Sequence, residues 1–441
     1  MAIHADFVFE VRTTGDDTNG GGYKSSAGTT DYSQQDAAEL SLTDCATSGT
    51  GVTTLTSVTG GFTAAMVGNS INLSAGTNLT TGLYEITAFT DANTVTLDRS
   101  PDDTVGGVSG ATGKVGGALA SPGMITGDSQ TYGNKVWIQS GTYTVSNATS
   151  GTPNSTINAV SAHFEGYETA RGDLTGNEFS TARPLIQASV SSLGYILVAG
   201  YFSRLRVDGG DGLSGNSGST GSSHNYIHVE NVVVGFGSSE GICLGCKVIG
   251  ATSGYSSTRS CVDCVAGNCH TGFINDTLGV SWVRCIAYDC TTYGFRGNER
   301  TSTASYCIAD NTRYGFYASD GDLDPIVLNC IAINCSDYGF RMRNSGSRRS
   351  FVFQSASYNN GNRFFGGAND VDANPIVLTA NPFVDSPNRD YRINDVAGGG
   401  ELLKGFGYNP ETTDTTSISA LLPSTTSGGG TTYSLHPLAY N

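Results

Sequence analysis

Four stretches of the chain place apolar, small and polar residues in one order. They begin at Cys264, Cys285, Cys307 and Cys330, run through Cys-x-Ala, and end in Gly-Phe at Gly272, Gly294, Gly315 and Gly339. The leading Cys recurs after 21, 22 and 23 residues, and the Gly-Phe pair after 22, 21 and 24. A second Cys lies five places after the first in three copies (Cys269, Cys290, Cys335), and Thr312 takes that place in the remaining one. A decayed fifth copy follows from Ser355 to Phe364-Phe365. Self-similarity at a fixed period near 22 predicts a solenoid whose coils stack at about 4.8 Å. Cys and Ala, two places apart on a strand, fit small inward slots. Gly permits a bend, and Phe fills the interior or stacks on its neighbours. The pattern leaves open whether the Ile of Cys-Ile-Ala faces in or out.

Outside the repeat the pattern changes. Residues 1–44 read as an N-terminal arm with one helix candidate, Tyr32 to Leu42. Residues 45–117 read as a small β-barrel or sandwich, with strands at Thr53–Val58, Ser70–Leu73, Leu83–Ala88 and Thr94–Leu97, closed by a Gly-rich joint from Val105 to Gly117. Residues 118–395 read as the solenoid. Taking 134–395 at 22 to 25 residues per coil gives roughly 11 coils and a rod on the order of 50 Å. Residues 396–441 read as a Gly/Ser/Thr-rich linker and tail. The predicted class is all-β.

Composition narrows the classes. Of 441 residues 60 are Gly and only 14% are charged, which excludes a long helix or coiled coil. With 38% hydrophobic residues, disorder by charge repulsion is excluded as well. A net charge of −16 argues against nucleic-acid binding. The one basic cluster, Arg341, Arg343, Arg348 and Arg349, is local and reads as a solvated turn in preference to an anion site. The start lacks a basic region followed by an apolar run, so no secretory signal is expected, and synthesis in a cytoplasm is. The stretch Leu193–Phe202 is too short to span a membrane.

The candidate chemistry is thin. Eleven Cys could suggest disulfides or, through Cys243/Cys246 and Cys261/Cys264, a zinc site. The repeat explains most of them, and in-register Cβ vectors aim poorly for disulfides, so free thiols are expected. The carboxylates to weigh are Asp208 with Asp211, Asp263 with Asp276, Asp289, and Asp320, Asp322 and Asp324. Their Gly-rich contexts favour turns, and Asp289, Asp310 and Asp337 hold different repeat positions, so they form no single carboxylate ladder. His224 and His228, four apart, would share one face of a single strand but lack a third ligand; His270 reads as a turn residue. Tyr293, Tyr314 and Tyr338 form a spaced row, read as a stabilising stack in preference to a sugar-binding strip. No catalytic, cofactor-binding or metal-ligating residue is assigned.

The entry strand Val136-Trp-Ile-Gln-Ser-Gly-Thr-Tyr, the Cys/Asn-rich coils and the exit Asn381–Asp385 with Asp390–Ile393 resemble right-handed parallel β-helices of the pectate-lyase-like superfamily. Phe62–Gly68, Gly82–Ile86, Val95–Arg99 and Val115–Ala120 are similar to the N-terminal module of β-helical virion proteins of tailed phages. That resemblance implies a homotrimer in a virion, bound to other capsid or tail proteins through the N-terminal module. It also implies a role as capsid decoration, head fibre or tail spike in particle stabilisation or host-surface contact, with a host-surface glycan as a further partner. Nucleic acid and membrane are not expected partners. The alternatives are a glycan-cleaving depolymerase or lyase, or a non-catalytic glycan-binding adhesin. Fold-level likeness does not choose among them.

Overall fold

The computed structural model describes residues 6–102, 106–125, 134–146, 154–158, 162–174, 181–189, 195–198, 200–209, 216–218, 223–237, 241–275, 279–297, 302–319, 325–342, 349–366 and 370–404. Among the described residues, sheets of 13, 11 and 10 strands form the solenoid, parallel except for one strand at the edge of the first, and along the repeat each sheet gains every third strand of the chain. The chain is thus a parallel β-helix joined to a separate antiparallel half-barrel. The first sheet begins at Val8–Val11, which pairs in parallel with Lys135–Gln139 and is capped by antiparallel Gly22–Tyr23. The start of the chain is therefore a rung of the β-helix, and the half-barrel is inserted between two neighbouring rungs.

One coil shows why the repeat has its period. Ser302–Ser305 lies in the first sheet, Ile308–Asp310 in the second and Tyr314–Ala318 in the third. The corners on either side of the second strand each hold one residue of positive φ. Tyr306 (57°) and Asn311 (51°) occupy them here, and Asn329 (51°) and Asn334 (54°) do so one coil later. Asn and Asp tolerate this left-handed conformation, which accounts for the Asn-rich corners. Their side chains also bond along the axis: Asn334 donates to Asp310 at 2.9 Å and Asn359 to Asn334 at 2.9 Å.

Inside, identical positions stack. The thiols of Cys264, Cys285, Cys307 and Cys330 donate to main-chain carbonyls one coil back, at 3.3–3.5 Å. All eleven Cys are buried and free. Phe273, Phe295, Phe316 and Phe340 form a second ladder, with centroids 4.7, 4.8 and 5.3 Å apart and planes within 11° of parallel. The Gly of Gly-Phe has a reason beyond bending. A Cβ on Gly315 would lie 2.5 Å from the Gly339 carbonyl oxygen and 3.2 Å from the Ala332 methyl. Gly315→Ala is expected to lower stability by about 3 kcal/mol through forced backbone displacement. Gly49→Ala, with nothing nearer than 4.0 Å, should change it by less than about 0.5 kcal/mol. Chemical denaturation of both variants checks this, and equal midpoints would refute the close-approach argument.

The half-barrel has six antiparallel strands in the order Leu40–Cys45, Ser109–Val115, Ser70–Thr77, Gly82–Asp91, Thr94–Leu97, Thr54–Thr56. Its core holds Leu42, Leu55, Ile71, Leu73, Tyr84, Ile86 and Val95. Two sequence expectations are corrected here. The helix expected over Tyr32–Leu42 is a three-residue 3-10 turn, Tyr32–Gln34, capped by Asp31, followed by the edge strand. The Gly-rich joint contains an inner strand, Ser109–Val115, which pairs on both sides. Gly113 serves there as a small inward residue, since a Cβ would meet Cys45 Sγ and Ile71 Cδ1 at 3.0 Å.

The parity of the repeat Ile is settled by the C-terminal segment. Cys and Ala point into the β-helix, whereas Ile286, Ile308 and Ile331 point out and are buried in a second cluster. The hairpin Phe383–Asp385/Asp390–Ile393 and the short helix Gly400–Lys404 cover them with Phe383, Tyr391, Ile393 and Leu403. Arg389 pairs with Asp289, and Tyr391 donates to Asp310 at 3.0 Å. Residues 396–404, expected as linker, thus contribute to a docked strap.

Candidate functional site

The third sheet carries the most distinctive outward surface. In register across three coils stand Tyr293, Tyr314 and Tyr338, and three residues on stand Arg296, Tyr317 and Arg341, continued by Phe365. The Gly and Phe between these two columns point inward, so the flanking side chains emerge together. The tyrosine rings stack at 5.4 and 6.3 Å with planes 22° and 11° apart. Tyr317 leans across Tyr293 at 4.7 Å and Tyr314 at 5.5 Å. Tyr314 is 5% exposed and Phe365 44%, so the strip passes from a covered stack to an open ring. The expected stabilising stack is therefore present, and it borders a more open surface.

Arg341 lies at the centre of this strip. Its guanidinium carbon is 5.0 Å from the Tyr314 ring centre, 5.4 Å from Tyr317, 5.8 Å from Tyr338 and 5.9 Å from Phe365. It has no carboxylate partner among the described residues, and its buried Nε has no hydrogen-bond partner. Arg313 lies over Tyr314 at 4.9 Å and holds Asp337 at 3.4 Å. Burial, then hydrogen bonding to Asp337, raises the Tyr314 hydroxyl above its ordinary value. Sequence reasoning treated Arg341 and the Tyr row separately and passed over Tyr317 and Phe365. The signal was the three-residue offset Tyr293/Arg296, Tyr314/Tyr317, Tyr338/Arg341, visible once the repeats are aligned.

The other candidates do not converge. Asp263 is held by both Nε and Nη2 of Arg284 at 2.7 and 2.8 Å. Asp208 accepts from Gln187 at 3.3 Å and Asn231 at 3.1 Å, as a corner residue would. Asp289 and Asp310 anchor the strap, and burial raises the Asp310 carboxyl. The two His do not share a strand. His224 points into the core between Phe202 and Phe236, whereas His228 sits outward on the next sheet beside the inward Val229. The corner at Tyr226, φ 54°, turns the chain between them. His270 bonds Thr291 at 3.0 Å on the surface. Cys243, Cys246, Cys261 and Cys264 adjoin one another in the core, but no three His, Cys, Asp or Glu among the described residues are placed to hold a metal. Asp211, Asp276, Asp320, Asp322, Asp324, Arg343, Arg348 and residues 405–441 lie outside the described residues.

At the opposite end of the first sheet, Glu165 pairs with Lys135 at 2.7 Å and with Arg204, while Glu10 pairs with Arg12 at 3.0 Å and Arg171 at 2.7 Å. His163 Nε2 contacts Ser203 Oγ at 2.8 Å, but Glu165 approaches that same nitrogen, at 3.9 Å, so the three do not form a relay. Beneath Tyr317 a cavity of about 10 Å³, lined by Trp282, Phe295 and Met342, has room for one water at most. No helix among the described residues is long and apolar enough to cross a membrane.

No family model matches the sequence, and no curated protein matches it. Among solved structures, the chain is similar to the catalytic domain of a GH87 α-1,3-glucanase in complex with nigerose, at 10% identity and a TM-score of 0.29, covering 78% of this chain and 91% of that one. It is similar to the catalytic unit of a thermostable GH87 α-1,3-glucanase from Streptomyces thermodiastaticus at 11% identity and TM-score 0.30, covering 77% and 87%. The A-module of a mannuronan C-5 epimerase from Azotobacter vinelandii gives 11%, 0.27, 55% and 82%.

Proposed function

We propose that this chain is a β-helical virion protein that contacts a host-surface glycan without cleaving it. One observation supports the glycan reading: aromatic rings and a cation without a carboxylate partner converge on one outward strip crossing successive coils. Tyr rings combine an apolar body with a polar tip, the combination a sugar's mixed surface requires. Among the described candidates, Asp263 is held by Arg284 and Asp289 by Arg389, and no two of them face each other across the strip, which favours binding over cleavage. The virion location, the homotrimer and attachment to capsid or tail proteins through the N-terminal half-barrel are part of the proposal and rest on the N-terminal resemblance.

Full-length protein is to be tested against purified bacterial surface polysaccharides. Binding is expected, with a loss of about tenfold for Tyr317→Ala at unchanged circular dichroism, the size of a lost ring contact. Absence of binding to every polymer would overturn the glycan reading, and new reducing ends or unsaturated products would replace it with the depolymerase or lyase alternative. Electron microscopy of the source particle tests the virion role.

A further inference from the structure

We infer that the strip selects a sugar bearing a carboxylate, with Arg341 as the group that reads it; this rests on the glycan-binding reading above. Arg204, Arg206, Arg284, Arg363 and Arg389 along the β-helix each have a carboxylate partner. Arg341 instead has four aromatic rings within 6 Å and no carboxylate among the described residues. Ring faces attract the cation but accept none of its in-plane N–H donors. Its Nε is sealed off among these side chains, so the donors a ligand can reach are its terminal nitrogens, which have no partner among the described residues.

A guanidinium fork in this state is matched by two parallel hydrogen bonds to a carboxylate, strengthened where rings lower the local dielectric. The nearby acid, Asp337, is already held by Arg313 at 3.4 Å and bonded to Tyr314, so it does not compete for the fork. One guanidinium suits a monoanion. Phe365, 44% exposed beside Arg341, offers an apolar surface to the ring that carries the carboxylate.

The test uses full-length protein and a panel of bacterial capsular polysaccharides. The panel includes uronate-containing polymers, the same polymers with carboxyls reduced to alcohols, neutral polymers, and a phosphate-linked teichoic acid. Uronate polymers are expected to bind, and carboxyl reduction to weaken them about ten- to a hundredfold, as loss of a hydrogen-bonded charge does. Arg341→Gln is expected to produce the same loss on the acidic polymer, to leave the reduced polymer unaffected, and to keep the wild-type circular dichroism spectrum. Arg341→Lys should fall between, because it keeps charge but not the fork. Neutral or reduced polymers bound as tightly as acidic ones would overturn this inference and leave the glycan reading standing. Binding confined to the teichoic acid would overturn the carboxylate. If no polymer binds, the glycan reading fails and the inference falls with it.

Discussion

Replacing Phe383 and Ile393 together by Ala is expected to undock the C-terminal strap and lower stability by roughly 5 kcal/mol or more, from two large-to-small changes in one buried cluster. Both side chains are buried against the outward Ile ladder, and Phe383 meets Tyr391 edge-on at 5.1 Å. Ile286, Ile308, Ile331 and Ile333 would then form a contiguous apolar stripe across neighbouring coils, of the kind that drives association. Denaturation midpoint, dye binding and size-exclusion chromatography read the outcome. An unchanged midpoint with a monodisperse profile and no added dye binding would show that the strap is not a structural cover. The Arg389–Asp289 pair alone should not hold it, because a partly exposed ion pair contributes about 1 kcal/mol or less, and the buried Tyr391–Asp310 hydrogen bond depends on the same packing.

His224→Phe is expected to stabilise the protein, and to do so most in acid. The imidazole is fully buried between Phe202, at 5.7 Å, and Phe236, at 4.7 Å, and neither ring nitrogen has a hydrogen-bond partner. Burial pushes its pKa down from 6.5 to about 3. Below pH 6.5 the unfolded chain therefore takes up a proton that the folded chain refuses. Stability present above 6.5 is lost progressively as pH falls toward 3. At pH 4.5 the wild type should have lost on the order of 3 kcal/mol that the Phe variant retains. The variant's curve keeps some slope, because burial also pushes His228 down to about 4. Denaturation at pH 7 and pH 4.5 measures the difference. Equal gains at both pH values would mean that His224 is not a buried neutral group.

The repeat could be read from composition and spacing because inward positions obey a short-range rule. One small residue, one methyl and one ring per coil must fit under their copies about 4.8 Å away. Cys, Ala and Phe therefore recur visibly, and their inward placement follows from strand alternation. Outward positions obey no such rule. Ile286 and Tyr293 both face out, yet one lies beneath a strap that arrives about a hundred residues later and the other lies at the edge of an open strip. The inner strand Ser109–Val115 was hidden for a related reason. Gly113 resembles part of a joint until the side chains of Cys45 and Ile71 are seen to occupy the space that a Cβ would need.

His224 and His228 show the limit of periodicity: a spacing of four implies one face only if the strand is straight, and a corner residue at positive φ lies between them. Arg341 shows it again. By itself the basic cluster looked like a solvated turn, and the Tyr row looked like a stack. Only the register that places Arg341 opposite Tyr317, with Phe365 beyond it, makes them one surface. The amino-acid order determined the class, the coil and its inward ladders, because those depend on neighbours one period away. The tertiary structure decided the strap, the outward faces and the strip, because those depend on segments meeting across distances that no local pattern encodes.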